Sequence, residues 1–190
     1  MLIGFAGASG SGKTTLVNAI AEKINCGVVT EVARDVFNDW KQRYGFESLA
    51  EIRMYSPTKF QLEVFREQVR REDEELANHD IVLTDRTIYD NLFFTIFYHD
   101  DISLLNRYLK EFMKRELERR YNLLFVCQAV KAGVDDGFRT PDLAYRELQE
   151  FVIRRLVPYR TLYVPAIPVD RRVDLVLSHI NFARRWNNAR

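Results

Sequence analysis

A three-layer α/β fold built on a five-stranded parallel sheet is the architecture this sequence predicts, and three observations carry the prediction. Short apolar runs alternate with longer segments whose apolar residues recur at helical spacing. The first run, residues 2–6, leads straight into Gly7–Ala8–Ser9–Gly10–Ser11–Gly12–Lys13–Thr14, which matches G-x-x-x-x-G-K-[ST] at every position. A helical pattern of Leu16, Val17, Ala19, Ile20 and Ile24 leaves that loop. Strands joined by helices form a parallel sheet covered on both faces. Right-handed crossovers then bring the C-terminal ends of the strands, and any ligand crevice, to one edge.

The elements follow in order. After the first strand, a helix spans 13 to about 24. A short second strand is predicted around 27–30 and a helix over 31–44, marked by Val32, Val36, Phe37 and Trp40. Residues 45–56 carry no clear period. Pro57 opens a long helix from 58 to about 77, with Phe60, Leu62, Val64, Phe65, Val69 and Leu76 on its apolar side. A third strand at 81–84 precedes a very apolar helical stretch, 89–98. Ser103 is the expected cap of a helix over 104–120. A fourth strand at 122–127, a loop at 131–140 bearing Gly and Asp, and a helix from 141 to about 157 come next. A fifth strand at 161–164 and a helix from 169 to about 183 close the order.

The chain has 190 residues, enough for one domain with a sizeable core, and residues 1–190 read as a single unit. Formal net charge is +1, which supplies no global pull toward nucleic acid or an anionic membrane. Cys26 and Cys127 stand at strand boundaries and read as buried thiols without a metal pattern. His79, His99 and His179 lie apart and read as structural or surface residues. The start MLIGFAGASG lacks a basic leader, and no apolar run reaches the length of a membrane span. The expected location is cytoplasmic, with no membrane partner.

The phosphate loop is the strongest signal. Its glycines let successive N–H groups converge on phosphate oxygens, and the following helix adds its positive dipole end. Gly7, Ala8, Ser9, Gly10, Ser11, Gly12, Lys13, Thr14 and Thr15 form the expected nucleotide-binding set. Lys13 is expected at the β/γ-phosphates and Thr14 on Mg²⁺, so ATP and Mg²⁺ are the expected cofactors.

The crevice should gather the residues that follow the other strands. Glu31 falls where a carboxylate could accept a proton from an attacking hydroxyl, or where it simply favours a helix N-terminus. Arg34, one turn on, holds a substrate phosphate or pairs with Glu31 or Asp35. Asp85, after the third strand, is the expected second carboxylate for Mg²⁺, and Arg86 beside it a phosphate clamp. Asp90 either faces substrate or caps its helix. Arg139 sits in a glycine-bearing loop able to bring a guanidinium to the transferring phosphoryl group. Arg146, Arg154, Arg155 and Arg160 read instead as a solvated basic face. Gln61 offers a paired donor and acceptor suited to a base edge or amide, or is a polar residue on an exposed turn.

The phosphate loop, VVTEVAR, Phe60–Gln61, LTDRTIYDNLFF and DDGFR fall in order over most of the chain. Together they resemble the P-loop nucleoside and nucleotide kinase superfamily. The resemblance is greatest to the branch of nicotinamide riboside kinase domains and related AAA-labelled small ATPases, and the deoxynucleoside kinases are similar too. The resemblance implies a nucleoside monophosphate kinase-like fold with a helical lid at about 131–158. It also implies Glu31 as general base or substrate-hydroxyl ligand, Asp85 and Arg86 on metal and phosphate, Arg139 in the lid and Gln61 reading a base. Asp85–Arg86–Thr87 departs from the Glu-Arg-Ser of deoxynucleoside kinases, and their denser lid arginines are missing.

The expected activity is therefore transfer of the γ-phosphate of Mg-ATP to a nucleoside- or nucleotide-like small molecule, by in-line displacement. Lys13, Glu31, Asp85, Arg86 and Arg139 are its catalytic candidates. Arg34, Gln61 and Asp90, with Glu31 and Arg86, are its acceptor-binding candidates. Two alternatives stay open. One is a kinase acting on a DNA or RNA hydroxyl, including a hydroxymethylated base, through Arg154, Arg155, Arg171, Arg172, Arg184 and Arg185. The other is a nucleotide-dependent switch or binding protein. The sequence leaves a homodimer open.

Overall fold

The computed structural model describes residues 1–30, 32–118, 121–130 and 142–188. Five parallel strands, β1 (Leu2–Ala6), β2 (Gly27–Val29), β3 (Val82–Asp85), β4 (Leu123–Cys127) and β5 (Leu162–Val164), form one sheet in the order β2-β3-β1-β4-β5. Among the described residues the helices are α1 (Lys13–Ala21), α2 (Val32–Tyr44), α3 (Leu49–Tyr55), α4 (Pro57–Asn78), α5 (Ile88–Tyr98), α6 (Ile102–Leu117), α7 (Leu143–Leu156) and α8 (Val169–Asn188).

The central strand β1 is buried along its whole length, as its unbroken apolar run requires. Phe5, Leu16, Val17 and Ile20 pack with Val173, Val176 and Ile180, so α1 and α8 cover one face. Leu62, Phe65, Ile88, Phe93, Tyr108 and Ile153 cover the other, drawn from α4, α5, α6 and α7. A third cluster around Trp40, Ile52 and Phe60 packs α2, α3 and α4 together toward the β2 edge. These are the three layers the sequence predicts.

The register places the chemistry. Phe5 is level with Asp85 on one side, and Ala6 with Val126 on the other. The loop leaving β1 therefore emerges beside the residues that end β3 and β4.

Some boundaries differ from expectation. Residues 49–55 form a helix, opened by Ser48, whose hydroxyl accepts the Glu51 N–H at 3.2 Å. The cap of α6 is Asp101, not Ser103: its carboxylate accepts the Leu104 N–H at 2.9 Å while its backbone is still extended. α1 ends at Ala21, short of residue 24, and α8 runs on to Asn188. Both cysteines are free thiols, and burial pushes that of Cys127 up to about 12. Among the described residues no helix is long and apolar enough to cross a membrane.

Candidate active site

The loop between β1 and α1 turns in a way that few residues other than glycine tolerate. Gly7 has φ 142°, and a Cβ there would fall 2.5 Å from the Cys127 carbonyl. The turn is locked from behind. The Gly7 N–H donates to Asp90 Oδ1 at 3.0 Å. Asp90 Oδ2 accepts the Thr87 N–H at 2.9 Å and the Thr87 hydroxyl at 2.8 Å, which makes a capping box at the start of α5. Burial raises the Asp90 pKa, against the nearby Lys13 and Arg86 charges.

Lys13 is buried beneath the loop. Its Nζ donates to the carbonyls of Gly7 at 2.7 Å and Ala8 at 2.8 Å and to Ser11 Oγ at 3.1 Å. Burial, helped by the Arg86 charge, pulls its pKa down to about 8. Ahead of it, the Thr14 hydroxyl donates to Asp85 Oδ2, while Asp85 Oδ1 is buried with no hydrogen-bond partner among the described residues.

Arg86 follows with φ 81°, a left-handed backbone unusual for a residue with a side chain. Its N–H donates to the Phe5 carbonyl at 3.0 Å and its own carbonyl accepts from Thr84 Oγ1 at 3.1 Å. Thr84 in turn accepts from Gln68 Nε2, which also donates to the buried Glu72 carboxylate at 2.8 Å. This buried polar chain fixes the strand end from which the Arg86 side chain departs. The guanidinium carbon lies 5.8 Å from the Phe94 ring centre, and Nη1 is buried with no hydrogen-bond partner among the described residues.

All of this opens on one cavity of roughly 360 Å³. Ser9 to Thr15, after β1, line it, as do Asp85 and Arg86 at the end of β3, which lies between β1 and β2 in the sheet, and Val32, Ile52, Phe60 and Val64 of the cluster packed toward β2. In the same cavity Asn91 Nδ2 donates to Gln61 Oε1 at 2.7 Å, and Asn91 Oδ1 is buried with no hydrogen-bond partner among the described residues. Gln61 and Asn91 thus set a hydrogen-bonded amide pair beside the apolar walls.

Arg34, Gln61, Asp85, Arg86 and Asp90, each singled out from the sequence, line this cavity together with Lys13 and Thr14. Gly7 and Ala8 do not line it: they shape the loop behind it, and the Gly7 amide is taken up by Asp90. The Ser9 amide is likewise turned away, toward Gln149 Oε1 at 2.9 Å. Glu31 and Arg139, and most of the loop before α7, lie outside the described residues. Arg146 is not on a solvated face, because its guanidinium is buried against the loop carbonyls of Ser9 and Gly10. Arg172 is buried in the same way on the Ser11 carbonyl, which removes it from any basic groove. Asn91 and Gln149 escaped the sequence reading. A polar residue inside the apolar 88–98 helix was the available signal for the first, and the Arg146/Gln149 spacing of one turn for the second.

A family model described as an AAA domain matches residues 2–172. The chain belongs to this AAA domain family. Solved structures share its fold. Deoxyadenosine kinase from M. mycoides with bound dATP superposes with a TM-score of 0.66 at 17% identity, covering 95% of this chain and 99% of that one. NadR protein in complex with NR gives 0.66 at 20% identity, over 86% of this chain and 45% of NadR, so the match spans less than half of that protein. Thymidylate kinase from Ehrlichia chaffeensis gives 0.56 at 22% identity, over 95% and 98%. A search of curated protein sequences finds no match.

Proposed function

We propose that this protein is an ATP-dependent kinase that transfers the γ-phosphoryl group to a hydroxyl of a nucleoside-like small molecule. The observation that carries this reading is the shared cavity: the phosphate loop and an apolar pocket with an amide edge open on the same space, with Asp85 and Arg86 between them. A switch protein needs only the first half of that arrangement. The likeness to a deoxyadenosine kinase and a thymidylate kinase supports the acceptor class.

The residues divide the work by position. Lys13 exchanges its loop carbonyls for β/γ-phosphate oxygens when the triphosphate enters. Thr14 Oγ1 and Asp85, whose Oδ1 has no hydrogen-bond partner among the described residues, are the hard oxygen ligands that would hold Mg²⁺. Bound Mg²⁺ supplies neutralisation of the triphosphate charge there. Arg86, which lines the cavity, meets the phosphoryl group in transfer. The aromatic and aliphatic walls take the acceptor's ring, and the Gln61–Asn91 edge reads a neighbouring donor and acceptor on it. Glu31, adjacent in the chain to the cavity residue Val32, takes the hydroxyl proton, and Arg139 is the further guanidinium for the phosphoryl group. Catalysis is then positioning and charge neutralisation in a partly dry site.

The test is turnover of γ-labelled ATP against nucleosides, nucleoside monophosphates, nicotinamide riboside and DNA ends. Label should pass to a small nucleoside-like acceptor and to none of them in the Lys13→Ala variant. Transfer to DNA ends alone would replace this reading with the polynucleotide one.

A further inference from the structure

Three side chains far along the chain grip the backbone of the phosphate loop. Arg146, on α7, donates from Nε to the Ser9 carbonyl at 2.8 Å and from Nη2 to the carbonyls of Gly10 and Val130 at 3.2 and 2.9 Å. Arg172, on α8, donates from Nη1 to the Ser11 carbonyl at 2.7 Å, from Nε to Pro165 at 2.8 Å and from Nη2 to Gln128 at 3.1 Å. Gln149 accepts the Ser9 N–H. Arg146, Arg172 and Gln149 are 4%, 2% and 0% exposed, so these bonds are made away from solvent.

Peptide planarity converts this grip into direction. In a trans peptide the carbonyl of one residue and the N–H of the next point to opposite sides. Arg146 on the Ser9 carbonyl therefore turns the Gly10 N–H away from α7. Arg172 on the Ser11 carbonyl turns the Gly12 N–H away from α8. Gly10 and Gly12 both line the cavity. A carbonyl bonded to a guanidinium also makes its own amide N–H a better donor. The contact is close: a Cβ on Gly10 would fall 2.6 Å from Arg146 Nη2. Among the described residues the hydrogen bonds of both guanidiniums go to backbone carbonyls rather than carboxylates, so two positive charges back the loop.

We propose that Arg146 and Arg172 are positioning residues that aim the Gly10 and Gly12 amides at the phosphate chain of a bound nucleoside triphosphate. The inference rests on the loop being a triphosphate cradle. It makes α7 part of the donor site.

The test is equilibrium binding of ATP and of adenosine to the full chain, with no acceptor and no turnover, alongside thermal melting of each variant. Arg146→Met and Arg172→Met should each weaken ATP by about tenfold or more, the loss of one or two charge-assisted hydrogen bonds. Adenosine, which has no phosphate, should bind each variant as it binds the parent protein. Arg146→Lys should fall between, because an ammonium lacks the planar fork that holds the Ser9, Gly10 and Val130 carbonyls together. Lys13→Ala is the control for the cradle. If it loses ATP while the Met variants bind ATP like the parent, the cradle stands and the proposal is overturned. If ATP and adenosine weaken together, the arginines serve the fold alone and the proposal is overturned. If the parent binds ATP no better than Lys13→Ala does, the cradle itself fails and the proposal with it. Should the Met variants not fold, parent-like ATP affinity in Arg146→Lys overturns the proposal.

Discussion

Replacing Asp90 with Ala should cost this protein much of its stability, and the amount follows from what the carboxylate holds. Its oxygens accept the Gly7 N–H at 3.0 Å and the Thr87 N–H and hydroxyl at 2.9 and 2.8 Å, and the residue is 1% exposed. In the Ala variant two buried backbone donors lose their partner, each at about 1–3 kcal/mol. The second of these bonds is the Asp90 half of the capping box at the start of α5. Lys13 and Arg86 also lose a compensating charge. A loss of about 3–5 kcal/mol follows, the range for breaking a buried charged network. For a chain of this length about 1 kcal/mol moves the midpoint by roughly 2–4 °C, so Tm should fall by roughly 6–20 °C. Urea unfolding and thermal melting followed by circular dichroism measure it. Asp90→Asn should lie between, since it keeps one acceptor but sets an amide donor against the Thr87 donors. A Tm within about 2 °C of the parent for Asp90→Ala would refute the reasoning. The carboxylate would then be free to face the acceptor.

The remaining expectations concern the two halves of the cavity. Lys13 holds its proton only up to about pH 8, whereas an unfolded lysine holds it to about 10.4, so ATP affinity should be flat below pH 7.5 and about tenfold weaker at pH 9 than at pH 7. The same shift makes the buried charge a stability cost below pH 8 that is relieved as pH rises from about 8 toward 10.4, and Lys13→Arg should remove the pH dependence of ATP binding. Thr14→Ala removes one of the two oxygen groups beside Asp85, so the Mg²⁺ concentration for half-maximal turnover should rise several-fold with little change in Tm. Asn91→Ala unties the Gln61 amide, so KM for the acceptor should rise by about tenfold, the size of a lost buried hydrogen bond, while KM for ATP stays put; equal changes in both would contradict the assignment of that edge.

The phosphate loop was legible in sequence because its determinants are local. Glycines at positive φ, a lysine and a threonine within one short span leave few other solutions. Asp85 and Arg86 were legible from their place at the end of a buried strand, since the parallel register sets them beside β1. Residues 49–55 were not, because that helix is short and buries only Ile52. The cap of α6 went to the wrong residue because Asp101 and Ser103 are both good caps and only backbone geometry chooses between them. Arg146 and Arg172 were misplaced on the surface for a different reason. Their partners Gly10 and Ser11 lie 136 and 161 residues away, and an arginine that binds carbonyls leaves no matching acid in the sequence. Asn91 was missed because its significance depends on Gln61, 30 residues earlier on another helix.

The central claim is that donor and acceptor meet in one cavity, and the partition of label from γ-labelled ATP between acceptor and water tests it most directly. With the nucleoside panel present and Mg²⁺ saturating, label should appear on a nucleoside hydroxyl well in excess of inorganic phosphate. It should shift back toward phosphate in Asn91→Ala. Release of label as inorganic phosphate alone, at a rate no acceptor changes, would contradict the account and leave a nucleotide hydrolase.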